Sequence, residues 1–143
     1  MSEAPALRLP TPAQWREAGE WLTFQGRRLF VARHGNGPAV LALHAFPTAS
    51  YDFCRIVARL HHRFCFIVFD YPGFGFSDKP VGHPYSLLEY ADAAQAVCEH
   101  YGVRQVKVLS HDIGASVALE LLRRGRSRID SLVLLNGSVW SIP

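Results

Sequence analysis

The sequence lacks most of the features that would place it in a specialised class. It has only three cysteines, Cys54, Cys65 and Cys98, far apart and without metal-ligand spacing. An odd, scattered set of this kind fits reduced thiols in a cytoplasmic protein better than a disulfide framework, and no metal is expected. No apolar run approaches the length of about 20 residues that crosses a bilayer. The first residues, Met1-Ser2-Glu3-Ala4-Pro5, carry an early acid and a proline but no apolar stretch, so no signal peptide is expected. The net charge is only +3 and the isoelectric point near 9.0, too slight an excess to point to a nucleic-acid partner. Repeats and low-complexity tracts are missing as well. What remains is an ordinary globular composition, 49% hydrophobic and 19% charged over 143 residues, long enough to bury a core. The expected setting is the cytoplasm, without a membrane or nucleic-acid partner.

Pro5, Pro10 and Pro12 mark residues 1–19 as a loose N-terminal arm, which leaves 20–143 as the folded domain. Trp21–Phe24 and Arg28–Ala32, around Gln25-Gly26-Arg27, predict a β-hairpin. Ala39–Leu43 and Phe64–Phe69 are continuous apolar runs, the pattern of strands buried on both faces of a parallel sheet. Tyr51–Leu60 has helical spacing. A longer helix is predicted from Ser86, where Ser86 and Glu89 form a capping-box pattern, with a stripe of Leu87, Ala91, Ala94, Cys98 and Tyr101 and a stop at Gly102. Val106–Leu109, Ala115–Arg124 and Ile129–Leu135 complete a strand, helix and strand. A hairpin followed by strand–helix alternation predicts an α/β fold, a mostly parallel sheet flanked by helices.

In such sheets ligands bind beyond the carboxyl ends of the strands. Three of those ends are unusual: His44-Ala45-Phe46-Pro47, Asp70-Tyr71-Pro72-Gly73-Phe74-Gly75-Phe76-Ser77-Asp78-Lys79-Pro80, and Ser110-His111-Asp112-Ile113-Gly114. The last fits small-x-nucleophile-x-small, a strand turning sharply into a helix so that only small neighbours fit two positions from the centre. Around Ser110 the flanking positions are Val108 and Asp112, so the frame selects Asp112. A carboxylate at a helix N-terminus is favoured in its charged form, as a nucleophile requires. Taken alone, the same pattern also describes a plain N-cap aspartate.

Together, in this order, the three loops resemble the α/β-hydrolase fold in its epoxide-hydrolase-like branch, whose nucleophile is aspartate. The mesoderm-specific-transcript type within that branch is the nearest in pattern. The run His44-Ala45-Phe46-Pro47-Thr48-Ala49-Ser50-Tyr51-Asp52, the run Gly73 to Pro80 and the Ser110-His111-Asp112 elbow carry the resemblance, which covers roughly residues 20–138. It implies a hydrolase acting on a small molecule through an ester on Asp112, with the backbone N–H groups of Phe46 and Ile113 as the oxyanion hole and no cofactor. His44, Pro47, Ser110 and Gly114 belong to the structural motif. It also implies that only the N-terminal part of the fold is present, without the lid, the general-base histidine and its acid, so that the chain is expected to be inactive alone.

Two departures matter. Ala45 stands where the family usually has glycine, and Ile113 where haloalkane dehalogenases have tryptophan, which disfavours a halide site. Of the seven histidines none is expected to be the base: His111 points away from Asp112, and His61 and His62 end a helix. Gly73-Phe74-Gly75 lacks a third glycine for nucleotide binding, and Arg123–Arg128 is expected to be a solvated helix end. The competing expectations are a non-catalytic fragment or interaction module and, less favoured, a serine-type esterase. The apolar strand Ile129–Leu135 has an open outer edge, so pairing with a C-terminal half or self-association is expected.

Overall fold

The computed structural model describes residues 7–137. In chain order they form helix α1 (Pro12–Glu17), strands β1 (Glu20–Phe24), β2 (Arg27–His34) and β3 (Ala39–Leu43), helix α2 (Cys54–Leu60) entered through a 3-10 turn (Ser50–Phe53), β4 (Cys65–Phe69), α3 (Leu87–His100), β5 (Gln105–His111), α4 (Ile113–Arg124) and β6 (Arg128–Leu135). The strands make one sheet in the order β1-β2-β4-β3-β5-β6. The hairpin strands β1 and β2 and the β2–β4 pair are antiparallel, whereas β4, β3, β5 and β6 run parallel.

The apolar runs become central strands because both of their faces are covered. In β3, Leu41 and Leu43 enter one core cluster with α3 and α4, while Val40 and Ala42 enter the other with α2 and Trp15. In β4, Ile67 and Phe69 alternate with Phe66 and Val68 in the same way. From β3 the chain steps outward to β4 on one side and then crosses back to β5 on the other. That reversal opens a crevice at the carboxyl ends of β3 and β5, where an open α/β sheet places its ligand site.

The structure changes three local expectations. The described part of the supposed loose arm holds α1, with Pro12 at its first position and a complete Thr11–Gln14 capping box. Its Trp15 is buried, stacks on His34 at 4.5 Å and donates its indole N–H to Ser50 Oγ at 3.2 Å. In α3, Ser86 Oγ accepts the Glu89 N–H, but the Glu89 carboxylate takes Arg27 at 2.6 Å and His83 at 2.8 Å instead of closing the box. Leu87 is exposed, and Tyr90, Ala93 and Val97 supply the buried face beside Ala91, Ala94 and Cys98. Strand β6 lies at the sheet edge, with Val133, Leu134 and Leu135 exposed at 48%, 43% and 40%. Among the described residues no helix is long and apolar enough to cross a membrane.

Candidate active site

The loop after β3 is built on a buried histidine. The Tyr71 N–H donates to His44 Nε2 at 3.1 Å, so the ring proton sits on Nδ1, which donates to the Ala45 carbonyl at 2.9 Å. Burial holds the His44 pKa below its ordinary 6.5, against the pull of the Ala45 carbonyl, Asp70 and Asp52. His34 is lowered too, by burial and then by His61. Protons taken up by the unfolded chain below pH 6.5 are therefore resisted by the folded one, and stability is present above that value and lost as pH falls through it. The melting temperature should accordingly drop between about pH 7 and pH 5. A flat melting profile over that window would contradict the buried neutral state of both rings.

The loop after β4 is organised by Asp70, fully buried at the strand end. Its carboxylate accepts the Ser50 N–H and the Phe76 N–H, each at 2.7 Å, which ties the first loop to the second. Gly75 lies directly against it at φ 49°, where any Cβ would overlap the carboxylate. Ser77 Oγ donates to the Asp70 carbonyl at 2.6 Å and accepts the Phe30 N–H at 3.0 Å, anchoring the loop to β2. These contacts explain the Asp70-to-Ser77 sequence as a backbone-binding carboxylate with its glycine and serine, not as a nucleotide loop.

The third loop is the elbow. Asp112 is the N-cap of α4 with φ 53° and ψ −118°, a conformation few residues other than glycine adopt. Its N–H donates to the Leu135 carbonyl at 3.0 Å and its carbonyl accepts from Ala115 at 2.9 Å. Gly114 is pressed onto the Leu43 carbonyl so tightly that a Cβ there would overlap backbone. Ser110, also buried, donates its hydroxyl to the Val133 carbonyl at 2.9 Å. The strand ends therefore bring Phe46 to Asp112: the Phe46 N–H donates to Asp112 Oδ2 at 2.9 Å. Pro47 follows through a cis peptide bond, and both Phe46 and Pro47 are exposed. Ile113, half-buried, opens α4, where the first backbone N–H groups have no intrahelical partner.

Beneath the elbow, Tyr71 is fully buried, stacked on Tyr90 at 4.7 Å. Its hydroxyl has no hydrogen-bond partner among the described residues. Burial pushes this phenol well above its ordinary value, with Tyr90 and the Asp112 carboxylate adding to the rise. The sequence marks Asp70 and Tyr71 only as the start of the second unusual loop and assigns neither a role; the signal for Asp70 is an acid ending an apolar strand, five residues before Gly75.

Among the described residues no histidine hydrogen-bonds to the Asp112 carboxylate. His83 pairs with Glu89, His100 with Glu20, and His61 caps the far end of α2. His111 ends β5, half-buried and one step along the strand from the side chain that turns into the crevice. Cys98 is pushed up to about 11 by burial, which leaves no thiolate there at neutral pH. No group of three or more metal-type ligands occurs among the described residues.

Comparison with known proteins places the chain in a family. Residues 38–142 match the family model for the alpha/beta hydrolase fold. The chain is 40% identical to the mesoderm-specific transcript homolog protein of Homo sapiens, over 96% of this chain and 47% of that protein. It is 41% identical to the putative hydrolase LipZ of Mycobacterium tuberculosis, over 91% of this chain and 47% of that protein. The solved structure of the epoxide hydrolase CorEH superposes with a TM-score of 0.77 at 25% identity, covering 87% of this chain and 46% of that one. The chain spans about half the length of the relatives it matches, and its sheet corresponds to a partial form of their fold.

Proposed function

The chain belongs to the alpha/beta hydrolase fold family, and we propose that it carries the nucleophile part of a hydrolase site in which the Asp112 carboxylate attacks a substrate carbon. The observation that supports this reading is the placement of Asp112: a strained strand-to-helix turn presents its carboxylate to the Phe46 N–H at 2.9 Å. A plain helix cap bonds to the amides of its own first turn, but no such side-chain bond is made here.

With an epoxide, one Asp112 carboxylate oxygen attacks a ring carbon while the carbon–oxygen bond opens. The released alkoxide takes a proton from solvent, or from an acid supplied outside this chain. The product is an ester on Asp112. Phe46 holds Oδ2, which leaves Oδ1 as the attacking atom. Hydrolysis then requires water to add at the Asp112 carboxyl carbon, and the Phe46 and Ile113 N–H groups are the donors that would receive the resulting oxyanion. Ile113 offers no side-chain donor to a departing halide, which favours the epoxide over an alkyl halide. With no histidine on the carboxylate, nothing in the described residues activates the water, so the ester should persist.

Exposure of the purified chain to a reactive terminal epoxide should add one equivalent to Asp112, seen by peptide mass spectrometry. The adduct should outlast the removal of free epoxide, and Asp112→Asn should abolish it. Labelling spread over Asp52, Asp78, Asp92 and Asp130 at similar rates would make Asp112 an ordinary carboxylate and leave an interaction module as the better reading. Sustained turnover would instead reveal a base within the chain.

A further inference from the structure

The Phe46 N–H and the Ala45 carbonyl are the two ends of one rigid peptide plane. One end faces Asp112. At the other end three donors converge on a single oxygen: His44 Nδ1 at 2.9 Å, the Thr48 N–H at 3.2 Å and Thr48 Oγ1 at 3.1 Å. We propose that Thr48 is a positioning residue for the site, acting with His44 to aim and polarise the Ala45–Phe46 peptide whose N–H faces Asp112. The proposal rests on the reading of Asp112 as nucleophile.

Two effects follow from this arrangement. A peptide plane gripped at its carbonyl cannot tilt without breaking those bonds, so its N–H is held in place before any charge develops. Hydrogen bonds on a carbonyl also draw electron density along the amide and make the N–H a stronger donor. A threonine hydroxyl bonded to a carbonyl three residues back is common in tight turns and by itself implies little. Here the same oxygen also takes a buried histidine, and that histidine is fixed in turn by the Tyr71 N–H of the second loop. The Thr48 contact is therefore the outer member of a chain linking loop two, loop one and the elbow. Ala45 itself lies outside the left-handed region, so a side chain there leaves the plane undisturbed.

The test follows the Phe46 amide proton by NMR in the full chain. Thr48→Val keeps the shape but removes the hydroxyl; Thr48→Ala removes both, and Thr48→Ser restores the donor. In the valine and alanine variants the Phe46 resonance should move upfield and its hydrogen exchange should quicken by about three- to tenfold, the worth of one ordinary hydrogen bond. The serine variant should recover both features. A Thr48 that matters only to packing would shift the melt and leave the Phe46 resonance and exchange rate as in the parent; that result overturns the proposal. Epoxide labelling of Asp112 is read separately. A Phe46 response without labelling retains the positioning role and removes the nucleophile, whereas labelling without a Phe46 response does the reverse.

Discussion

Gly114→Ala should lower the melting temperature by roughly 6–12 °C and abolish epoxide labelling of Asp112. The added methyl would overlap the Leu43 carbonyl at the end of β3 and crowd the carbonyl of His44, the next residue, and both are backbone atoms. No rotamer change relieves such a contact, so α4 must lift from β3. Overpacking that moves backbone costs about 3 kcal/mol, which for a domain of this size corresponds to that melting shift. Lifting α4 also separates Asp112 from the Phe46 N–H, now 2.9 Å from Oδ2. Gly125→Ala is the matched control. Gly125 ends the same helix at φ 63° with nothing near its would-be Cβ, so only the conformational penalty of about 1 kcal/mol applies and labelling should continue. Equal melting shifts for the two variants, or labelling that survives Gly114→Ala, would refute the close contact as the basis of the elbow.

The purified chain should also self-associate, and lysine at Val133 and Leu135 together should reverse this. Among the described residues strand β6 pairs on one edge only, and Val133, Leu134 and Leu135 are exposed. An unpaired apolar edge is a template for another strand, and charged side chains there are an effective block. Each aliphatic side chain removed from a buried contact costs about 1.5–3 kcal/mol, so the double substitution should weaken association on the order of a hundredfold or more. Sedimentation velocity over a range of concentrations reads both forms. A parent chain that sediments as a concentration-independent monomer would show that β6 does not recruit a partner.

The strands and the elbow were legible in the sequence because each rests on a short-range rule. Ala39–Leu43 reads as a doubly covered strand since every residue is apolar, and Ser110-to-Gly114 reads as an elbow since its small residues sit two positions either side of Asp112. The role of Asp70 is not legible, because the Ser50 amide is brought to it only by the pairing of β3 with β4, and the Phe76 amide only by the turn at Gly75. Helix α1 was missed for a different reason. Pro10 and Pro12 suggested a loose arm, yet Pro12 occupies a first-turn position that tolerates it, and Thr11 with Gln14 spells the start of a helix. Glu89 shows tertiary structure overruling a local motif: Arg27, from a distant strand, outbids its own helix cap for the carboxylate. The Thr48 contact could not be read at all, since nothing in the residue type says which carbonyl its hydroxyl will take.

The conformation of Asp112 has a consequence for what a substitution there can change. The turn is enforced by main-chain bonds to Leu135 and from Ala115, and by the fit of Gly114 beneath Leu43. Among the described residues, only the bond from Phe46 uses the Asp112 side chain. The elbow therefore works as a socket that sets where a side chain emerges and leaves its identity open. Asparagine, which resembles aspartate in shape and shares its tolerance of positive φ, would disturb the turn least, while valine or isoleucine would strain it. A change of side chain at this position therefore alters what faces the Phe46 N–H while the main-chain bonds that shape the turn stay in place.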